Sequence, residues 1–330
     1  MPVKQMDVDM PFKYGYVRFV CIASTCGKHE QIAIPHGDVL IIAGDFTTYG
    51  DPKDMVAFNK FLESNDDTTR SGWDRAKSSC KAHSAWNKVY YAENYPRSYK
   101  FAHLKFSPFP GSLPHQFKLL ISGSNEIPLD PSWRFPRSNH LASTYYCDLL
   151  KPVALSAGNY RQMVKRKCNL RDDSLKYSLE GSLQEMKIND ARELLTNAIY
   201  MEDSEVCVSG IRVYGTPWQP YYDDWAFSAG RRQQLKDKYN KIPKGIDVLL
   251  TYAPPLGFGD KTSAGVHIGS VELLNVTHSN VHPKYHVFGY PCEGHGCFTN
   301  GSTKFINACC CDASLNPKNV PIVFDIKIPE

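Results

Sequence analysis

A chain of 330 residues with 42% hydrophobic and 12% aromatic residues carries enough apolar side chain for one sizeable packed α/β domain. Lys and Arg number 38 against 34 Asp and Glu, a formal charge of +4, too slight a surplus for nucleic-acid binding through bulk charge. No run approaches the roughly 18 apolar residues of a membrane span, residues 1–9 lack the charged-then-apolar pattern of a secretory signal, and eleven cysteines at irregular spacing suit a reducing, cytoplasmic setting better than a disulfide framework.

In chain order, apolar strand-like runs alternate with polar or helical segments: Val17–Ala23, Val39–Ala43, Phe117–Ser122, Ile211–Tyr214, Val248–Tyr252, Tyr285–Phe288, Lys304–Cys309 and Pro321–Ile326. That alternation is the mark of a layered α/β protein. The run Asp38–Asp45 reads as a buried parallel strand that delivers a carboxylate, Asp45, at its C-terminal edge, where open α/β sheets place their chemistry. A helix follows, with Asp51 as its cap, Pro52 at its first position and Met55, Phe58 and Leu62 on one face. A second helix is expected through Arg231–Asn240, closed before Pro243. Two long segments, about 64–110 and 131–189, read as insertions within a single domain spanning 1–330. The first holds Trp73, Trp86, Tyr90, Tyr91, Tyr95 and Tyr99, aromatics that suggest a docking surface for a protein partner.

Five stretches beside strand ends carry the site: Cys21-Ile-Ala-Ser24-Thr-Cys26-Gly, Gly44-Asp45, Gly123-Ser124-Asn125-Glu126, Thr251-Tyr252-Ala-Pro-Pro-Leu-Gly and Gly289-Tyr290-Pro-Cys292-Glu293. In order and flanks they resemble the calcineurin-like metallophosphoesterases, and most closely the metallophosphoesterase-domain-containing (UPF0046) subfamily. There the same stretches normally read Ser-Asp-x-His, Gly-Asp, Gly-Asn-His-Glu, Thr-His-Gly-Pro-Pro-Leu-Gly and Gly-His-x-His. The resemblance covers Arg18–Glu63, Gly111–Asp130 and Ala191–Asp325, with matching flanks at Asp203-Ser-Glu-Val, Tyr214-Gly-Thr-Pro-Trp218 and Phe324-Asp325. It implies an α/β fold, a metallophosphoesterase-like β-sandwich flanked by helices, and a two-metal hydrolase of phosphodiesters or nucleotide-like phosphates.

Carried across residue by residue, the resemblance implies that Asp45 is the retained bridging ligand. Ser24, Cys26, Ser124, Tyr252, Tyr290 and Cys292 stand at the other ligand positions, and Asn125 at that of the catalytic His. One of these eight positions keeps its expected residue. The replacements are poor donors for such an ion. A two-metal site lowers the pKa of bound water from about 15.7 to about 7, and hard or borderline dications want carboxylate and neutral imidazole. Serine hydroxyls are neutral, a phenol has an ordinary pKa near about 10, and Asn125 can neither supply a proton nor carry charge.

The expectation is therefore a degenerate phosphoesterase that acts as a binding or regulatory pseudoenzyme, with no metal at full occupancy. Its ligand would be a small phosphate or nucleotide held by the amides of Gly123-Ser124-Asn125 and Gly257-Phe258-Gly259. The alternative is an enzyme with a replaced or mononuclear ligand set: a single Zn or Mn on Asp45 with Cys26 and Cys292, helped by His29 or His295, or with Glu126 or Glu293. The cysteines otherwise read as small buried hydrophobes, and Cys309–Cys311, taken as strand, cannot all turn to one side as a chelating cluster. Thiol chemistry at Cys26, beside Lys28 and His29, is a third class.

Overall fold

The computed structural model describes residues 1–65, 110–111, 113, 115–132, 172–221 and 225–329. Two sheets carry the fold. The first has the order β11-β1-β2-β3-β4, built from β1 (Tyr16–Ile22), β2 (Val39–Ala43), β3 (Phe117–Ile121), β4 (Ile199–Tyr200) and β11 (Ile322–Lys327). Its strands run parallel except for β11, which pairs antiparallel with β1. The second has the order β9-β10-β8-β7-β6-β5, from β5 (Ser204–Val208), β6 (Ile211–Thr216), β7 (Val248–Thr251), β8 (Tyr285–Phe288), β9 (Gly296–Thr299) and β10 (Lys304–Asn307). Its four central strands are parallel and its two edges antiparallel.

Strand side chains alternate between faces, and the core divides accordingly. Phe19, Cys21, Ile41, Leu119 and Ile121 meet Val213, Leu250, Val287, Ile306 and Phe324 in one cluster between the sheets. Tyr285 of β8 stacks on Phe324 of β11 at 3.9 Å. The residues between them in sequence, Val20, Ile22, Leu40, Ile42 and Leu249, belong to a second cluster with four helices: α1 (Pro52–Phe61), α2 (Asp172–Glu185), α3 (Gln233–Tyr239) and α4 (Val271–Val276). The result is a β-sandwich flanked by helices, the expected class.

The start of α1 follows from three residues. Asp51 accepts a hydrogen bond from the Lys53 amide at 2.8 Å, Pro52 needs no donor partner at the first position, and Met55 and Phe58 are fully buried, each stabilising the fold by about 1.5–3 kcal/mol. The expected second helix is shorter than its pattern, Gln233–Tyr239. Inside the second insertion, where no period is legible, lies α2, whose Leu179 and Leu183 join the helical core. The ends of the first insertion lie side by side, Ser64–Asn65 pairing with Pro110–Gly111; the aromatics between them are outside the described residues.

The shared flanks act as fasteners. Arg18 donates to Asp325 at 2.9 Å across β1 and β11. Asp203 accepts from Thr216 Oγ1 at 2.7 Å and from Trp218 Nε1 at 3.2 Å. Among the described residues no helix is long and apolar enough to cross a membrane.

Candidate functional site

Parallel strands deliver their C-terminal loops to one edge, and the two sheets meet there. Ala23, just past β1, forms a parallel bridge with Cys309, just past β10, and the Cys310 amide donates to Ala23 O at 2.8 Å. Ser24 Oγ donates to Gly289 O at 2.7 Å, joining the loop after β1 to that after β8. The backbone is tightly wound at this seam: Ser24, Cys26 and Asp45 have φ of 48°, 47° and 51°, a left-handed region that non-glycine residues enter rarely. Gly44 has φ +84°, and a Cβ there would stand 2.6 Å from Gly123 Cα and 2.9 Å from Tyr252 Cδ2, so only glycine lets the loops after β2 and β3 approach.

Asp45 is buried at the centre. Its Oδ1 accepts from the Asn125 amide at 2.9 Å, its Oδ2 from the Tyr252 hydroxyl at 2.7 Å, and Ser124 Oγ lies 3.3 Å and 3.4 Å from the two oxygens and 2.9 Å from Tyr252 OH. Burial raises the Asp45 pKa, and these donors pull the other way. The Tyr252 phenol is driven upward by burial and then by the Asp45 charge, so it keeps its proton and remains a donor. Tyr290 stacks on it, ring centroids 5.8 Å apart.

Glu126, a replacement ligand in the mononuclear alternative, is fully buried and closes the turn that carries Asp45. Its Oε1 accepts from Thr47 N at 3.0 Å and Thr47 Oγ1 at 2.8 Å, and its Oε2 from Asp45 N at 3.0 Å and Gly123 N at 2.7 Å. Burial raises its pKa, and the charge of Asp45 raises it further. The acidic end of the third motif is the available signal, although it gives no hint of four donors. In the two stretches expected to cradle an anion, the amides of Gly123 and Asn125 are turned on Glu126 and Asp45, and that of Gly257 on Asp260 at 3.0 Å. Asn125 Nδ2 donates to Thr47 O at 3.1 Å.

The proposed helpers are elsewhere engaged. His29 is buried edge-on against Phe58 at 5.1 Å, its pKa lowered by burial, a core histidine under α1. His295 Nε2 pairs with Val320 O at 3.1 Å, and exposed Glu293 accepts from Ser263 N at 3.3 Å. Cys26 is buried, and its hydrogen bond to Cys311 and its burial both raise its pKa. A protonated, enclosed thiol is a poor nucleophile.

The cysteines depart from expectation in one respect. β10 ends at Asn307, so Cys309–Cys311 lie beyond it. Cys310 packs into the helical core as alternation requires. Cys309 and Cys311 turn the other way, Cys309 Sγ to 2.7 Å from Cys292 Sγ and Cys311 Sγ to 3.8 Å from Thr25 O, beside Cys26.

A dinuclear centre does not fit these residues. One carboxylate faces the seam at Asp45, one of its oxygens accepts a phenol that stays protonated, and the hydroxyl of Ser24 is turned onto a carbonyl. Among the described residues no three His, Cys, Asp or Glu side chains are grouped to hold a metal ion.

No protein-family model matches the chain. Individual relatives do. UPF0046 protein T07D4.2 of Caenorhabditis elegans is 38% identical over 328 residues, 99% of this chain and 64% of the relative, so the chain spans less than two thirds of that protein. Human metallophosphoesterase domain-containing protein 1 is 33% identical over 97% of this chain and 74% of its own. UPF0046 protein C25E10.12 of C. elegans is 32% identical over 99% and 87%. A solved structure, TT1561 of Thermus thermophilus, aligns over 90% of each chain with a TM-score of 0.39 and 9% identity. Likeness of this extent to the sequence relatives matches the order of the strand-end motifs, and the chain belongs to the metallophosphoesterase-domain-containing, or UPF0046, family.

Proposed function

We propose that this chain is a pseudoenzyme of its family, a protein that has lost efficient metal-dependent phosphodiester hydrolysis and works by binding. The observation that carries the reading is the 2.7 Å hydrogen bond from Tyr252 to Asp45. It spends on a neutral phenol the carboxylate oxygen that would have to bridge two cations. Without such cations the attacking water keeps a pKa of about 15.7, and the charge that would offset a phosphate is lost with them.

The inward-turned amides of Gly123 and Asn125 argue that any phosphate or nucleotide held here is held weakly. Binding is then assigned to a protein partner, with the aromatic-rich segment 64–110 as the docking element. A cytoplasmic setting accords with the cysteine usage.

Elemental analysis for Mn, Fe and Zn, paired with a generic phosphodiester assay in each metal, tests the reading. Sub-stoichiometric metal and no turnover are expected. Near-stoichiometric metal with turnover abolished by Asp45→Ala would defeat it. Restoring Ser24→Asp, Cys26→His, Ser124→Asn, Asn125→His, Tyr252→His, Tyr290→His and Cys292→His together should return metal binding to the folded protein.

A further inference from the structure

We propose that Cys292 and Cys309 form a reversible dithiol–disulfide couple, a modification site at the rim of the candidate site. β8 and β10 are neighbouring parallel strands, Phe288 opposite Asn307, so the loops that leave their ends run side by side. Cys292 lies in one loop and Cys309 in the other, their sulfurs 2.7 Å apart, so a disulfide of about 2.05 Å is a short approach of the two sulfurs away.

The approach is held from several directions. Asn307 Nδ2 donates to Pro291 O at 2.7 Å, beside Cys292, while Asn307 Oδ1 accepts from the Cys309 amide at 3.1 Å. Asn319 Nδ2 donates to Cys309 O at 3.0 Å. The two backbones that present the thiols are therefore fastened through one shared side chain and braced by a second. Cys309 is buried and Cys292 half-buried, which makes Cys292 the point of entry; its contact with Cys309 and its burial raise the Cys292 pKa, so exchange runs through a small thiolate fraction and the couple equilibrates slowly.

The chemistry is ordinary exchange with a low-molecular-weight disulfide such as oxidised glutathione. Cys292 thiolate attacks one sulfur of the oxidant, whose S–S bond breaks and releases one thiolate. Cys309 thiolate then attacks the Cys292 sulfur of the mixed disulfide, forms the Cys292–Cys309 bond and expels the second thiolate. The two cysteines lose two electrons, the oxidant gains them, and the two thiol protons end on the two released thiols. The couple stands whether or not the chain turns over phosphodiesters.

The test equilibrates the full chain in glutathione buffers from fully reduced to fully oxidised, quenches with acid, alkylates under denaturing conditions and maps the peptides. Cleavage after Lys304 separates the two cysteines, so the disulfide appears as a linked pair, resolved to the residue by fragmentation. The expected result is a Cys292–Cys309 link that grows with the oxidised fraction, reverses with a reductant and is missing in Cys292→Ser. Full alkylation of both thiols at every ratio, or Cys309 linked to any sulfur other than Cys292, overturns the proposal, and the wild-type map alone decides this if the variant fails to fold.

Discussion

The Tyr252 hydroxyl donates to Asp45 Oδ2 at 2.7 Å, joining a loop of the second sheet to the end of β2 in the first. Ser124 Oγ lies within reach of both groups, 2.9 Å from the phenol, so three side chains from three strand ends share one small hydrogen-bonded cluster. Removing the phenol oxygen leaves the buried carboxylate with the Asn125 amide and the longer contacts of Ser124 Oγ. Tyr252→Phe should lower stability by about 1–3 kcal/mol, read as a fall in the urea midpoint.

The carboxylate at the centre gives the protein a pH signature. The folded pKa of Asp45 lies above its ordinary 3.8, so the native state holds the proton more tightly than the unfolded chain. That contribution to stability is fully present below the unfolded pKa and is lost as pH rises through the folded pKa. Asp45→Asn, which stays uncharged, should remove this slope. Its urea midpoint relative to wild type should be more favourable at pH 8 than at pH 4, by on the order of 1–3 kcal/mol. A difference independent of pH would show that Asp45 is not so displaced.

Glu126 is the complementary case. Each of its oxygens receives two donors, and a carboxamide would set an NH2 group against at least one backbone N–H. Glu126→Gln should cost about 2–3 kcal/mol and loosen the turn at Asp45–Thr47, seen as faster exchange of the Asp45 and Thr47 amide hydrogens.

His286, fully buried in β8 with Nε2 2.9 Å from Thr251 Oγ1, has its pKa lowered to about 3 by burial. Its imidazole should stay neutral from pH 8 down to pH 5, with no titrating ring shift by NMR. Because a depressed folded pKa lets the unfolded chain take up the proton first, its contribution to stability is present above about 6.5 and is lost as pH falls toward 3.

The parts of the molecule set by local chemistry are legible in the sequence. Val39–Ala43 and Tyr285–Phe288 have the expected bounds, because central parallel strands, covered on both faces, are mostly apolar. The Asp51-Pro52 start of α1 is equally clear. The strands Ser204–Val208 and Gly296–Thr299 leave no such mark: each lies at a sheet edge, where polar Ser204, Glu205 and Thr299 blur the apolar signal. The helix Asp172–Glu185 is hidden in a polar insertion whose few apolar residues show their face only against the core.

At the site, the positions are readable and the partners are not. The motifs mark Asp45, Ser124, Asn125 and Tyr252 as neighbours, and the structure brings them within hydrogen-bond reach. That the amides after β3 turn inward, that Glu126 closes the turn, and that Cys309 meets Cys292 all depend on contacts between loops far apart in the chain, which no local pattern encodes.

Asn307 has a wider consequence than the two thiols beside it. Its one carboxamide reaches Gly259 O, Pro291 O and the Cys309 amide, tying three separate loops to a single buttress at the end of β10. The rim should therefore fail as a unit: Asn307→Ala would free all three loops together, and protease cuts would emerge in them at matching rates rather than one after another.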